Sequence, residues 1–246
     1  MDVFISEAQD NRYTYSTQKM GSPFNLVLYA DTKQIADSAA QESFRLVDSI
    51  NLICSDYDSS AELFKLRYAV VGKPTKVSSI LMELLCTARQ AYKDSYGSFD
   101  ITVGPLSSIW RSARKSQQFP SVASINAARK LVGMSGLQLD TRSQTVTFIA
   151  PHFYLDMGAI AKGYAADKVL ALLQSIGITN ALVDAGGDMV VAGMPPQKKG
   201  WSIGINVPGQ QEQLLERKRI FISFISIKCI GSNFSFNLEK TFRVII

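Results

Sequence analysis

Histidine and cysteine are scarce in this chain of 246 residues. His152 is its one histidine, which excludes a metal site built from several imidazoles. The three cysteines, Cys54, Cys86 and Cys229, form no Cys-x-x-Cys pair, so we expect neither a disulfide framework nor a zinc site. We interpret His152 as structural and the cysteines as reduced thiols.

Long apolar runs and clustered charge are also missing. No uninterrupted apolar run reaches the ~18 residues that a membrane span needs, so no span is expected. Residues 1–7 lack the basic and apolar regions of a signal peptide, which predicts no export signal in this chain. The 26 basic and 21 acidic residues are spread along the sequence, which argues against a nucleic-acid partner. An apolar fraction of 46% and a mean hydropathy of +0.06 exclude a disordered chain.

The order of the predicted elements indicates the fold class. Residues 1–19 are polar and mixed, and predict a loose arm that leads into a strand. Helical and strand patterns then follow in this order: strand 24–29, helices after Thr32, after Ser78, around Trp110 and near Ser121 or Ser124, a hairpin over 137–149, a helix through 169–173, and strands 180–184, 188–192 and 201–207. This order predicts an α+β fold with mixed, largely antiparallel sheets flanked by helices.

Small residues are frequent in segment 156–167, which leads into the predicted helix through 169–173. Free amide hydrogens at a helix start suit a phosphate, and Lys162 would add a point charge. The alternative is a helix start packed tightly on a sheet with Lys162 in solvent. The spacing alone favours that alternative, because it is neither a P-loop nor Gly-x-Gly-x-x-Gly.

Two further glycine-containing segments have open interpretations. The segment 184–188 reads Asp-Ala-Gly-Gly-Asp between two apolar strands, which predicts a hairpin turn with positive φ. Its carboxylates would either serve the turn or bind a cation or a ribose hydroxyl. Segment 97–100 reads Gly-Ser-Phe-Asp, where Phe99 would either stack on a ligand ring or enter the core.

Taken together and in order, several segments resemble one enzyme family, the ApbE family of FAD:protein FMN transferases, once called thiamine-biosynthesis lipoproteins. The resemblance covers about residues 18–215. The matching segments are Met20-Gly21-Ser22, Ser55-Asp56-Tyr57, 97–106 with Trp110, 156–165, 180–188 and 201–205.

The resemblance implies a reaction and a set of site residues. Members of the family bind FAD and Mg²⁺, cleave the FAD pyrophosphate, attach FMN to a Ser or Thr hydroxyl of a target flavoprotein subunit, and release AMP. The main-chain carbonyl of Ala159 would be a magnesium ligand. The residues that would contact FAD are Met20, Tyr57, Ser98, Phe99, Asp100, Asp156 and Lys162.

The chain departs from the family pattern after about Arg217. The family's His-Ile-Ile-Asp-Pro-x-Thr-Gly motif is missing, and so is the Ala-Asp-Ala-Leu-Ser-Thr segment whose side chains complete the magnesium site. No catalytic residue can therefore be carried over. We expect an N-terminal arm over 1–19, an incomplete transferase-like domain over 20–216 and a divergent tail over 217–246, and we expect this chain alone to transfer FMN poorly.

Three alternatives remain open at this point. The chain would be a flavin-binding protein without turnover, a hydrolase that cleaves FAD to FMN and AMP, or an interaction module without flavin. By resemblance to the family, a periplasmic or membrane-anchored extracytoplasmic location is expected, although no lipobox cysteine is present.

Overall fold

The computed structural model describes residues 6–9, 11–151, 154–207, 210–220 and 224–227. The chain divides into two compact units, the first made of residues 1–48 and 162–246 and the second of residues 49–161. The helices are α1 (Lys33–Cys54), α2 (Glu62–Lys65), α3 (Ser79–Asp94), α4 (Gly104–Ser116), α5 (Val122–Arg129) and α6 (Ala161–Ser175). The strands are β1 (Ser6–Gln9), β2 (Arg12–Lys19), β3 (Ser22–Tyr29), β4 (Thr75–Lys76), β5 (Leu137–Asp140), β6 (Thr145–Phe148), β7 (Ala181–Ala185), β8 (Asp188–Ala192), β9 (Trp201–Val207), β10 (Gln210–Ile220) and β11 (Phe224–Ile227).

An antiparallel sheet of six strands forms the centre of the first unit. Its order is β1-β2-β3-β7-β8-β11, and β9 pairs with β10 in a separate ribbon. Because side chains alternate across a strand, β3 contributes to both faces of this sheet. Phe24 packs edge-on against Phe44 of α1 on one face, with ring centroids 6.4 Å apart. Tyr29 contacts Trp201 of β9 on the other, at 6.0 Å.

Residues 12–19 correct one expectation from the sequence. They were predicted as part of a loose polar arm, but they form β2, which pairs with β3 along its whole length. Tyr13 and Tyr15 alternate with polar residues and are buried. Two buried tyrosines at a spacing of two residues are typical of a half-buried strand, even where the intervening residues are polar. The predicted boundaries at 19 and 216 stay predictions, and Phe224–Ile227 of the predicted tail pairs with β8 as β11.

The second unit combines helices with a sheet of three antiparallel strands in the order β4-β6-β5. Helix α3 packs against β5, and α4 packs against α5. The sequence pattern also predicts one apolar side of α3, made of Leu81, Leu84, Leu85, Ala88, Ala91 and Tyr92. The first four of these are buried, whereas Ala91 and Tyr92 are only partly buried. Fully buried Val146 of β6 also belongs to the apolar interior of this unit.

Predicted helix starts coincide with hydroxyl caps. The Ser78 hydroxyl accepts a hydrogen bond from the Leu81 amide, and the Ser121 hydroxyl accepts one from the Ser124 amide. Each bond satisfies an amide that has no partner within its helix.

The helices and the antiparallel pairing in the sheets confirm the predicted α+β class.

Candidate functional site

Lys162 lies in the first turn of α6, and its ammonium reaches the turn between β7 and β8. The Nζ atom is 3.5 Å from the carbonyl oxygen of Gly186 and 3.6 Å from Oδ2 of Asp188. Both distances are long for contacts of an ammonium. Lys162 therefore keeps hydrogen-bonding capacity for an anion, and its side chain is 28% exposed.

A buried hydroxyl lies beside the same turn. The register that pairs Phe24 with Ala185 brings Ser22 next to Gly186. A Cβ added at Gly186 would lie 2.4 Å from Ser22 Oγ and 3.5 Å from Lys162 Nζ, so only glycine fits. The Oγ atom is buried and has no hydrogen-bond partner among the described residues. The Lys162 ammonium and the Ser22 hydroxyl, on either side of Gly186, are donors of the kind that pair with phosphate oxygens.

The predicted hairpin at 184–188 is present, and its first carboxylate serves the turn. Gly186 and Gly187 have φ values of +67° and +101°, which agrees with the need for positive φ in a two-residue turn. Asp184 Oδ1 accepts from the Gly187 amide at 2.7 Å, and Oδ2 accepts from the Asn25 amide group at 3.0 Å. Of the two interpretations that the sequence left open, turn chemistry accounts for Asp184.

A charged cluster centred on Arg111 occupies the second unit. Arg111 Nη1 donates to Asp56 Oδ2 at 2.5 Å and to the Tyr154 hydroxyl at 2.9 Å, and Nη2 donates to Asp156 Oδ2 at 2.8 Å. The Tyr154 hydroxyl itself lies 3.0 Å from Asp56 Oδ2. Arg67 donates to the Asp56 carbonyl and stacks on the Tyr154 ring, 3.7 Å from its centroid. Arg111 thus faces two carboxylates, and Arg67 holds the main chain of one of them and the ring of Tyr154.

The contacts in this cluster favour the protonated forms of Arg111 and Tyr154. Burial alone would lower the pKa of Arg111, but the hydrogen bond to Asp56 and the charges of Asp56 and Asp156 raise the pKa above its ordinary value. Burial, and next the Asp56 carboxylate, raise the pKa of the Tyr154 phenol. At neutral pH Arg111 is therefore a cation and Tyr154 a neutral hydrogen-bond donor.

The loop from Gly97 to Gly104 is held by Asp100 and Thr102. Asp100 Oδ1 accepts from the amide and the hydroxyl of Thr102, at 2.7 and 2.6 Å. The Thr102 hydroxyl, which is fully buried, also accepts from the Gly133 amide at 2.8 Å. Phe99 is 8% exposed and belongs to the apolar interior of this unit.

The residues predicted to bind flavin and metal divide between the two units. Met20 and Lys162 lie in the first unit. The second unit holds Tyr57, Ser98, Phe99, Asp100, Asp156 and Ala159. Met20 has a φ of +50° in the two-residue turn between β2 and β3. Ser98 and Ala159 are exposed, and Tyr57 is 73% exposed. Their roles as ligand contacts stay predictions.

The described residues do not by themselves fit a magnesium site. Hard cations take several oxygen ligands, commonly from carboxylates. Across the described ranges, no three His, Cys, Asp or Glu residues are grouped so that they could hold a metal ion. The exposed carbonyl of Ala159 is one candidate ligand. His152 and Cys229 lie outside the described residues.

No helix in the described part is both long and apolar enough to cross a membrane.

Sequence reasoning missed Arg111 and Ser22 as parts of the site. The sequence patterns single out Asp56 only within the segment Ser55-Asp56-Tyr57, and they do not single out Arg111. Only the folding of the chain brings Arg111 to carboxylates at positions 56 and 156. One available signal for Arg111 was its place on a helix whose preceding segment, 97–106, was already singled out.

Comparison with known proteins gives one family. The model of the ApbE family matches residues 20–229. An FAD:protein FMN transferase of Klebsiella pneumoniae is 30% identical over 207 residues, covering 84% of this chain and 62% of the relative. A second, from Vibrio cholerae, is 29% identical and is covered to 59%. The chain thus spans about three-fifths of the length of these curated relatives.

Solved structures agree in fold. The flavin transferase ApbE from Vibrio cholerae superposes with a TM-score of 0.73 at 26% identity, covering 84% of this chain and 67% of that one. The flavinyl transferase ApbE from Pseudomonas stutzeri also gives 0.73 at 26% identity, with coverages of 88% and 67%.

Proposed function

This chain belongs to the ApbE family, and we propose that it takes part in flavin transfer, using FAD as the donor of an FMN group. The observation that carries the proposal is the pair of donors beside Gly186 in the first unit. They are the loosely held ammonium of Lys162 and the buried, unpartnered hydroxyl of Ser22. A pyrophosphate of FAD is an anion of that kind. Relatives that carry the name FAD:protein FMN transferase support the choice of FAD.

The proposed reaction breaks the bond between the two phosphorus groups of FAD. A Ser or Thr hydroxyl of a target flavoprotein attacks the phosphorus of the FMN half, the hydroxyl proton is released, and AMP leaves with the electron pair of the broken bond. Such a displacement depends mainly on positioning and on stabilising phosphate charge. In this chain Lys162 would pair with a phosphate oxygen, and Ser22 would donate a hydrogen bond to it.

Magnesium belongs to this proposal as an ion that would neutralise the pyrophosphate and the departing AMP. Ala159 would offer its carbonyl oxygen, and no step of the reaction is assigned to other ligands. An extracytoplasmic location and a respiratory flavoprotein as the acceptor are further parts of the proposal, supported by resemblance to the family.

A binding titration followed by a transfer assay tests the proposal. Purified chain is titrated with FAD, with and without MgCl₂, and flavin fluorescence is recorded. The chain is then incubated with FAD, MgCl₂ and a purified acceptor flavoprotein domain, and the acceptor mass and the AMP released are measured. Saturable binding with acceptor-dependent AMP release supports flavin transfer.

Other outcomes distinguish the remaining functions. AMP release without acceptor modification indicates FAD hydrolysis, and binding without turnover indicates a flavin carrier. No FAD binding by a chain with a folded circular dichroism spectrum contradicts the proposal. The same assay gives the rate of FMN transfer, which tests the prediction that this chain transfers FMN poorly.

A further inference from the structure

Three segments of the second unit converge on the guanidinium of Arg111. Helix α4 supplies Arg111, the loop after α1 supplies Asp56 and Tyr57, and the segment before α6 supplies Asp156. The two ion pairs measure 2.5 Å to Asp56 and 2.8 Å to Asp156. Arg111 therefore connects segments that lie 55 and 45 residues away along the chain.

The two carboxylates depend on this one cation. The Asp56 side chain is 6% exposed and that of Asp156 is 14% exposed, so each has lost most of its contact with water. A planar guanidinium donates to both carboxylates at once from two terminal nitrogens. A lysine ammonium is a single point of charge on a flexible stem, and cannot reproduce this fork.

Arg111 also lies against the ring of Tyr57. Its central carbon is 4.3 Å from the ring centroid, which is within cation–π range. The Tyr57 ring is nevertheless 73% exposed. A large aromatic side chain in a polar loop loses conformational freedom when one face is held, and the rest of its surface stays available to a ligand ring.

Asp156 connects Arg111 to the backbone that precedes α6. Its Oδ2 is held by Arg111, while its Oδ1 accepts a hydrogen bond from the Gly158 amide at 2.8 Å. The Asp156 amide in turn donates to the Ile101 carbonyl at 2.7 Å. The orientation of the Asp156 carboxylate, and of the turn that leads to Ala159, thus depends on the Arg111 contact.

We propose that Arg111 is a positioning residue for FAD, because it holds Tyr57 and Asp156 in a binding-competent arrangement before FAD arrives. This inference rests on the proposed function and on the FAD contacts of Tyr57 and Asp156, which the resemblance to the family implies. Arg111 itself touches no flavin in this account and acts through the two residues that it holds. Pre-organised contacts bind more tightly because their ordering cost is met before binding.

The test compares Arg111→Lys and Arg111→Gln with Arg114→Lys and Arg114→Gln. Arg114 is an exposed arginine on the same helix, and provides a matched control for charge and helix propensity. The dissociation constant for FAD is measured by fluorescence titration of the full chain, and the thermal midpoint of each variant is measured separately. We expect Arg111→Lys to raise the dissociation constant by about tenfold while remaining folded, because one charged hydrogen bond is lost. Both Arg114 variants should bind FAD like the unaltered chain.

A double-mutant cycle separates positioning from general destabilisation. Each variant is compared by its fold-increase in the dissociation constant for FAD. If Arg111 acts through Asp156, the fold-increase of Arg111→Lys/Asp156→Asn is clearly smaller than the product of the two single fold-increases. A fold-increase in the double variant equal to that product would overturn the inference while the proposed function stands. An unchanged dissociation constant for folded Arg111→Lys would do the same. Absence of FAD binding by the unaltered chain would overturn the proposed function and this inference together.

Discussion

The ammonium of Lys162 lies 3.6 Å from the nearer carboxylate oxygen of Asp188. The contact joins the start of α6 to the start of β8, and therefore joins segment 156–167 to segment 184–188. At this distance the pair is a loose one, so an anionic ligand could compete for the ammonium.

Replacing Lys162 by glutamine should weaken FAD binding. The ammonium lies beside Gly186, close to Ser22. Because the variant would lose a charged hydrogen bond to phosphate, we expect the dissociation constant to rise about tenfold or more. Fluorescence titration with FAD measures the effect. Lys198→Gln, at an exposed position of the same unit, serves as the control. Equal affinities for the two variants would remove Lys162 from the binding site.

Replacing Gly104 by alanine should destabilise the protein. Alanine for glycine in a helix is ordinarily favourable by about 1 kcal/mol. Here the added Cβ would lie 2.1 Å from the Tyr154 carbonyl oxygen, and backbone atoms cannot yield easily. We expect a loss of about 1–3 kcal/mol in the free energy of unfolding, measured by urea denaturation.

Gly133→Ala is the control for this steric prediction. The nearest atom to a Cβ at Gly133 is Ser135 Oγ at 3.7 Å, an ordinary contact. The φ of Gly133, 162°, is extended and open to any residue. Its stability should change by no more than about 0.5 kcal/mol. A Gly104→Ala variant as stable as this control would show that the close approach to Tyr154 is absent in solution.

The Cys54 thiol should resist alkylation in the folded protein. Burial raises its pKa to about 12, so at pH 8.5 very little of it is the reactive thiolate. Because the folded pKa is raised, the stability from this thiol is complete below its ordinary pKa and is lost as the pH approaches 12. Iodoacetamide labelling followed by peptide mapping compares Cys54 with the half-buried Cys86. Labelling of Cys54 at the rate of Cys86 in native buffer would contradict the prediction, and urea should abolish the difference.

Tyr15→Phe should reduce stability and flatten its alkaline pH dependence. The Tyr15 hydroxyl donates to Asp37 Oδ1 at 2.8 Å, and burial together with this bond raises the pKa of the phenol. Stability from the phenol is therefore complete below pH about 10 and falls as the pH rises through the folded pKa. We expect a loss of about 1 kcal/mol at pH 8, measured by urea denaturation, and a smaller difference at pH 11.

Tyr96→Phe tests whether that effect depends on burial. The Tyr96 ring is 98% exposed, so its loss should change stability by no more than about 0.5 kcal/mol. If Tyr15→Phe and Tyr96→Phe give the same free energy of unfolding at both pH values, the hydrogen bond to Asp37 contributes nothing.

Local signals in the sequence predicted many elements correctly. Hydroxyl caps at Ser78 and Ser121, and two glycines between apolar strands at 186–187, act within a few residues and hence are readable from sequence. The interpretation of residues 12–19 as an arm is wrong, because the polar residues around Tyr13 and Tyr15 obscure the alternation. The pairing with β3 that makes them a strand is a contact between strands, and composition does not reveal it.

The sequence by itself determined the family, the α+β class, and the glycine-containing segments around Lys162 and Gly186, since motif order and short-range turn chemistry are properties of adjacent residues. Only the tertiary structure decided that Ser22 is buried without a partner beside Gly186, and that Arg111 pairs with Asp56 and Asp156. The physical reason is distance along the chain. Burial and ion pairing depend on which side chains meet in space, and strand register and helix packing set those meetings.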